Sequence, residues 1–228
     1  MPQSCCTADY DRLFNAKAAR EDLEAYRRDG PRGSTRRLIE ALRAQDVAGV
    51  TLLDIGGGVG VIQHELLAAG AAASVDVDAS HAFLAAAREE AQRRGFGDRA
   101  AHRYGDFVEL APDVEPADLV TLDRVICCYP DMAALVGTSV AHARRLYGLV
   151  FPVDRWWIRL GARFGNVLAR LFCGTFRAHI HPTREVDALV RSHGFERQMH
   201  HRGWVWQTMV YRGPRADTTE LRDPRNAR

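Results

Sequence analysis

The stretch Leu52-Leu53-Asp54-Ile55-Gly56-Gly57-Gly58-Val59-Gly60 constrains this chain more than any other. An apolar run ends in an acid and a glycine cluster before helical periodicity resumes at Val61, which predicts a strand, a tight turn and a helix. Gly56, Gly58 and Gly60 let the backbone take positive φ and let a ligand approach without meeting a Cβ. Asp54 then stands where a strand empties into a crevice, and α/β folds bind ligands at the carboxyl ends of parallel strands. The spacing departs from the dinucleotide fingerprint G-x-G-x-x-G/A, because Val61 holds its third position and a carboxylate at Asp54 would repel a pyrophosphate. A ligand carrying an ammonium and a sulfonium suits that acid better.

Around this turn the pattern alternates strands with helices. Residues 8 to 30 predict an amphipathic helix that stops at Gly30-Pro31 and could cover the core, with Leu13, Phe14, Leu23 and Tyr26 as its apolar positions. Ser34 or Thr35 is the expected cap of a second helix reaching about Gln45. Strands are predicted over 73–77, 101–104, 118–123 and 146–151, with helices from Ser80 to Gly95 and from Pro130-Asp131 to about Arg144. Such alternation argues for parallel βαβ units. Residues 194–200 and 204–211, a turn apart around Arg202-Gly203, predict a terminal antiparallel pair. The polar segment 214–228 is expected to be disordered.

With 228 residues, 46% of them hydrophobic, the chain can build one sizeable core but not two full enzyme domains. Its formal net charge of +2 supplies no global field for nucleic acid, so no nucleic-acid partner is expected. The lack of a leader pattern and of an apolar run long enough to span a bilayer predicts a cytoplasmic protein without an integral membrane segment. Five cysteines, Cys5, Cys6, Cys127, Cys128 and Cys173, read as thiols rather than disulfides, and no metal site is expected.

Three further acids, Asp78, Asp106 and Asp123, each follow a predicted strand, so with Asp54 they would face one crevice. The pattern D-x-G-x-G-x-G at Asp54–Gly60 resembles motif I of class I S-adenosylmethionine methyltransferases. The ordered set of Val77-Asp78-Ala79-Ser80, Gly105-Asp106-Phe107 and Asp118–Asp123 extends that similarity across about residues 34–211. The stretches Leu122–Pro130 and Arg177–His181 look more narrowly like magnesium protoporphyrin O-methyltransferases, although Cys128 stands where that family tends to carry a histidine.

The resemblance implies a doubly wound α/β fold, Rossmann-like, with a mostly parallel seven-stranded sheet and a reversed last strand. It divides the chain into an N-terminal helical cap (1–33), a methyltransferase domain (34–213) with an inserted amphipathic segment (154–176), and the tail. The implied cofactor is S-adenosyl-L-methionine, held by Asp54, Gly56, Gly58, Gly60, Asp78, Ala79, Asp106, Phe107 and Asp123. Asp78 is the expected acceptor for both ribose hydroxyls, with Asp76 its alternative, because an ionised carboxylate only accepts and can take two hydrogen bonds. Asp106 would accept from the adenine amine with Phe107 against the ring, and Asp123 would lie near the methionine part.

The expected reaction is methyl transfer to an oxygen, carboxylate or hydroxyl, of a small planar or aromatic acceptor. A carboxylate needs no base, whereas a hydroxyl would call on Tyr129, His181 or His179. The segment 154–173 carries Trp156, Trp157, Leu160, Phe164, Val167, Leu168, Leu171 and Phe172 at helical spacing, with Arg155, Arg159, Arg163 and Arg170 beside them. It reads as a core helix, as a peripheral contact with an anionic membrane, or as a substrate cap in which Trp156, Trp157, Arg155 and Arg177 hold the acceptor. Two other functions fit the residues: methylation of a soft ion such as arsenite held by the thiols, and a nonenzymatic module that binds the cofactor and acts through a partner.

Overall fold

The computed structural model describes residues 14–172 and 177–214, and within 168–172 the backbone alone. Cys5, Cys6, Leu13, Cys173 and the expected tail from 215 onward lie outside the described residues, as do the side chains of Leu168, Arg170, Leu171 and Phe172. In chain order the elements are α1 (Ala16–Asp29), α2 (Gly33–Arg43), β1 (Thr51–Ile55), α3 (Val61–Ala68), β2 (Ala73–Asp78), α4 (His81–Arg93), β3 (Ala100–Tyr104), α5 (Phe107–Leu110), β4 (Ala117–Asp123), α6 (Met132–Ala141), β5 (Ala143–Pro152), α7 (Trp156–Phe172), α8 (Thr183–Ser192), β6 (Glu196–Arg202) and β7 (Trp206–Arg212).

Seven strands form one sheet in the order β3-β2-β1-β4-β5-β7-β6. The first five are parallel, and β7 runs antiparallel to both neighbours, as the resemblance implied. Period-two alternation sends adjacent residues to opposite faces. Leu53, Val120, Tyr147 and Phe151 join one core with Val186 and Val190 of α8, while Leu52, Leu119, Leu146 and Val150 join another with Leu38 and Leu42 of α2 and Leu66 of α3. A third cluster seats α1 on the glycine turn and α4 through Leu23, Tyr26, Val59 and Phe83. Strand order reverses between β1 and β4, which opens a crevice at their carboxyl ends.

Several element ends differ from expectation for local reasons. Residues 14 and 15 are not helical, because the Asn15 side chain accepts from the Lys17 and Ala18 amides and starts α1 there. Neither Ser34 nor Thr35 caps α2; Arg32 holds that position without a side-chain bond, which leaves Thr35 inside the helix for another partner. Helix α6, capped by Asp131, ends at Ala141 rather than Arg144, and Ala143 to Arg145 join β5. The terminal pair is shifted about two residues toward the C-terminus, and the Gly203 amide closes its turn on the Trp206 carbonyl.

Candidate functional site

The turn after β1 has left-handed backbone at Gly56, Gly58 and Gly60, with φ of 63°, 60° and 77°. L side chains avoid this region, so glycine is favoured at each. Gly57, which the sequence reading does not single out, has more atoms crowding its Cβ position than any other glycine of the turn, all three of them polar. A Cβ there would stand 2.6 to 2.8 Å from the Gln63 amide and the Asp76 and Asp54 carboxylates.

That crowding exposes a buried polar cluster under the turn. Asp54 on β1 is paired in register with Asp76 on β2 and with Thr121 on β4, so all three side chains share one sheet face. The Thr121 hydroxyl donates to Asp54 at 2.6 Å, and the Gln63 amide approaches it at 3.5 Å. Burial lifts the Asp54 carboxyl to about 7; the Thr121 bond opposes that rise and the charge of Asp123 adds to it. Asp76, fully buried, accepts the Gly57 amide at 3.2 Å, and burial together with Asp78 and Asp54 pushes its carboxyl well up. Asp76 is therefore a strut beneath the turn and does not line the crevice, which removes it as the alternative ribose acceptor. Strand register makes its role readable once β1 and β2 are known to be neighbours.

The crevice encloses about 520 Å³ and is lined by Asp54, Gly56, Gly58, Asp78, Ala79, Asp106, Phe107 and Asp123 among others. Gly60 is the expected residue that does not line it. Its left-handed backbone instead precedes α3, where a Cβ would stand 2.7 Å from the His64 ring. Asp78 accepts the Gly58 and Ser80 amides at 3.1 and 2.8 Å, which fixes its carboxylate at the crevice. Asp106 caps α5 through the Val108 amide and also receives the Tyr129 hydroxyl at 3.0 Å. Asp123 takes the Thr35 hydroxyl at 2.5 Å on one oxygen. Its other oxygen is buried without a hydrogen bond, with Arg124 Nε 3.6 Å away, and burial raises the carboxyl.

Other expected residues are placed differently. Tyr129 lines the crevice, but its hydroxyl donates to Asp106, so it is engaged as a donor. His181 lies outside the lining; its Nε2 faces the Ile126 and Tyr129 carbonyls at 3.1 and 3.3 Å and braces the turn after β4. His179 stacks on it and donates its backbone amide to Cys127. Trp156, Trp157, Arg155 and Arg177 are all absent from the lining. Arg155 instead lies over the Trp157 ring, with its guanidinium 4.9 Å from the centroid. Helix α7 is not core either, since Trp156 is 72% and Phe164 67% exposed.

Residues missed from sequence close the crevice instead. Phe14, Asp22, Tyr26 and Arg32 come from α1 and its flanks, Thr35 from α2, and Arg124 and Cys128 from the turn after β4. Burial raises the Asp22 carboxyl and Arg124 opposes it. Arg124 is non-glycine yet has φ of 64°, its amide bound to the Val150 carbonyl. Such strained backbone persists where surroundings over-determine it, commonly at sites of function. Only the amphipathic pattern before the core hinted at this wall. Cys127 and Cys128 bring their sulfurs to 3.8 Å, and among the described residues no three His, Cys, Asp or Glu side chains gather to hold a metal.

Residues 52–145 match the family model described as a methyltransferase domain. A ribosomal protein L11 methyltransferase from Azotobacter vinelandii is 32% identical over 170 residues, covering 74% of this chain and 53% of that protein. The Serratia proteamaculans counterpart is 33% identical over 146 residues, covering 55% and 47%. The chain thus spans about half the length of the curated relatives it matches. Among solved structures, magnesium protoporphyrin IX methyltransferase from Synechocystis PCC 6803 with bound SAH superposes with a TM-score of 0.71 at 19% identity, over 92% of this chain and all of that one. An O-methyltransferase family protein from Burkholderia thailandensis gives 0.68 at 15% identity, covering 90% and 62%.

Proposed function

The chain has the class I S-adenosylmethionine-dependent methyltransferase fold, and on that premise we propose that it transfers a methyl group from S-adenosylmethionine to an oxygen of a small, planar organic acceptor. One observation carries the reading: a glycine turn in left-handed backbone at the crevice over the buried Asp54, with Asp78 ending β2 and Asp106 just past β3. The residues suit the cofactor's charge, because the Asp54 and Asp123 carboxyls at the crevice would attract a sulfonium and an ammonium electrostatically, the Asp123 oxygen without a hydrogen bond facing Arg124 at 3.6 Å.

When bound, S-adenosylmethionine supplies an electrophilic methyl on its sulfonium. Asp78 would accept the ribose hydroxyls, held in place by its bonds to the Gly58 and Ser80 amides. Asp106 would accept the adenine amine, and Ala79 and Phe107, which line the same crevice, would hold the base. The Tyr129 hydroxyl keeps Asp106 oriented, so Tyr129 serves as a positioning residue for this pocket. His181, bonded to backbone carbonyls, holds the turn that carries Tyr129 and Cys128.

The acceptor would lie against the remaining wall, which Phe14, Tyr26, Asp22 and Arg124 line. Arg124, whose Nη2 donates to the Thr35 hydroxyl at 3.3 Å and whose Nε faces Asp123, would attract an acceptor carboxylate as a fixed positive charge in the wall. A carboxylate acceptor is already ionised, so alignment does most of the work, and holding the reacting atoms in attack geometry can supply roughly 7–11 kcal/mol. Helix α1 contributes Asp22, Ala25 and Tyr26 to the wall of the crevice.

Incubation of cell extract with methyl-labelled S-adenosylmethionine and the purified chain, followed by mass spectrometry, tests the reading. A labelled small molecule that is stable to amine-specific reagents and cleaved or retained as an ester or ether supports it. Label found only on protein, or no label with cofactor bound, would overturn it.

A further inference from the structure

Helix α7 presents an apolar ridge that the proposed reaction does not use. Trp156, Leu160, Phe164 and Val167 recur at the spacing that aligns side chains on one stripe, and each is more than half exposed. Ile158, Ala162 and Asn166 form the opposite, half-buried side. Asn166 ties that side down, exchanging two 2.8 Å bonds with the backbone of Ala178. The ridge therefore points outward from a fixed helix and extends about 16 Å from Trp156 to Val167.

A second apolar point stands at its N-terminal end. The Val153 amide, three residues before α7, binds the Val205 carbonyl, which draws the tip of the β6–β7 hairpin beside the helix start. Trp204 at that tip is 77% exposed and Val205 is 45% exposed.

Charge identifies the occupant. Helix α7 contains no Asp or Glu, while Arg159 and Arg163 flank the stripe, Arg155 precedes it and Arg202 stands exposed beside the hairpin tip. The nearest acid in sequence, Asp154, is already paired with Arg159 at 2.6 Å. Tryptophan clustered at one end of an apolar ridge edged by arginine is a composition that settles at the boundary between lipid headgroups and acyl chains. Among the described residues no helix is long and apolar enough to cross a membrane, so the contact would lie in the interface plane.

We propose that α7 and the hairpin tip dock the protein on an anionic lipid surface, with Trp156, Leu160, Phe164 and Trp204 entering the headgroup boundary and the arginines meeting lipid phosphates. Co-sedimentation of the full chain with phosphatidylcholine vesicles, with and without phosphatidylglycerol, tests this directly. Binding is expected only with the anionic lipid, accompanied by a blue shift of tryptophan emission and weakened by salt. The double variant Leu160→Glu, Phe164→Glu should abolish it while leaving the thermal transition in place, because both side chains are exposed. Arg159→Glu and Arg163→Glu should each weaken it about fivefold or more. Wild-type chain left in the supernatant would overturn the proposal. So would a dimer in light scattering that the double variant splits, since a second copy would then be the occupant.

Discussion

The glycine-turn crevice and the α7 ridge show the same amphipathic ingredients put to opposite use. At the crevice, charge is buried: Asp54 and Asp76 are fully covered and held by Thr121, Gln63 and the Gly57 amide, while apolar side chains close around them. On α7 the apolar side chains face outward and the half-buried side is made of Ile158, Ala162 and Asn166. Burying ionisable groups is costly unless they are paired or protonated, so the first arrangement needs a reason, and a cationic ligand supplies one. Exposing a contiguous apolar stripe also marks an interaction surface rather than a core.

The contrast breaks most sharply through phenylalanine. Phe151 on β5 is 1% exposed, so Phe151→Ala should cost roughly 3–5 kcal/mol in chemical denaturation. Phe164→Ala on α7 should stay within about 0.5 kcal/mol of wild type. A comparable loss at Phe164 would mean that the ridge is packed in solution.

A smaller effect is expected at the crevice rim. Asp78→Ala should weaken S-adenosylmethionine binding by roughly 1.5–3 kcal/mol, the range for a hydrogen bond to a charged group. Isothermal calorimetry reads this, and an unchanged affinity would remove the ribose assignment. Trp156→Ala in the same titration should change nothing, because Trp156 does not line the crevice.

Protonation of Asp54 sharpens the comparison further. Its folded carboxyl is raised to about 7 from the ordinary 3.8, so the native state holds a proton that the unfolded chain has already lost. The group's contribution to stability is therefore greatest below about pH 4 and declines as pH rises toward 7; Asp76 acts in the same direction. A bound cation favours the charged carboxylate. Cofactor affinity should then rise between about pH 6 and 8, and binding at the lower pH should release protons, seen as heats that vary with buffer ionisation enthalpy. In Asp54→Asn the pH slope should flatten.

What sequence could and could not reveal follows the same division. The turn and its acids were legible because left-handed glycines and strand-end carboxylates are local demands of backbone and ligand. The alternation of strands and helices was likewise legible, and β7's reversal came through resemblance. The wall formed by Asp22, Arg32 and Arg124 was not, since it exists only after α1 packs on the glycine turn and α4, and the strained φ of Arg124 has no signature in residue type. Thr35 looked like a helix cap and instead serves Asp123 across 88 residues of chain. Periodicity found α7 but could not tell a buried stripe from an exposed one, because both repeat at the same spacing.

The smallest predicted effect tests whether α7 is a free-standing ridge. Gly161 and Gly165 lie within it, and a Cβ added at either meets nothing within 4 Å, whereas one at Gly57 meets three polar atoms under 3 Å. Neither α7 glycine has positive φ, so alanine fits the helical backbone at both. Glycine in a helix interior costs roughly 0.5–1 kcal/mol relative to alanine, mostly through backbone freedom in the unfolded state. Gly161→Ala and Gly165→Ala should therefore each stabilise the chain by up to about 1 kcal/mol and add in the double variant, as read by urea denaturation. They should also leave cofactor affinity alone, because neither position touches the crevice. If either substitution destabilises the protein, another surface is packed against the glycine side of α7, which the structure leaves open.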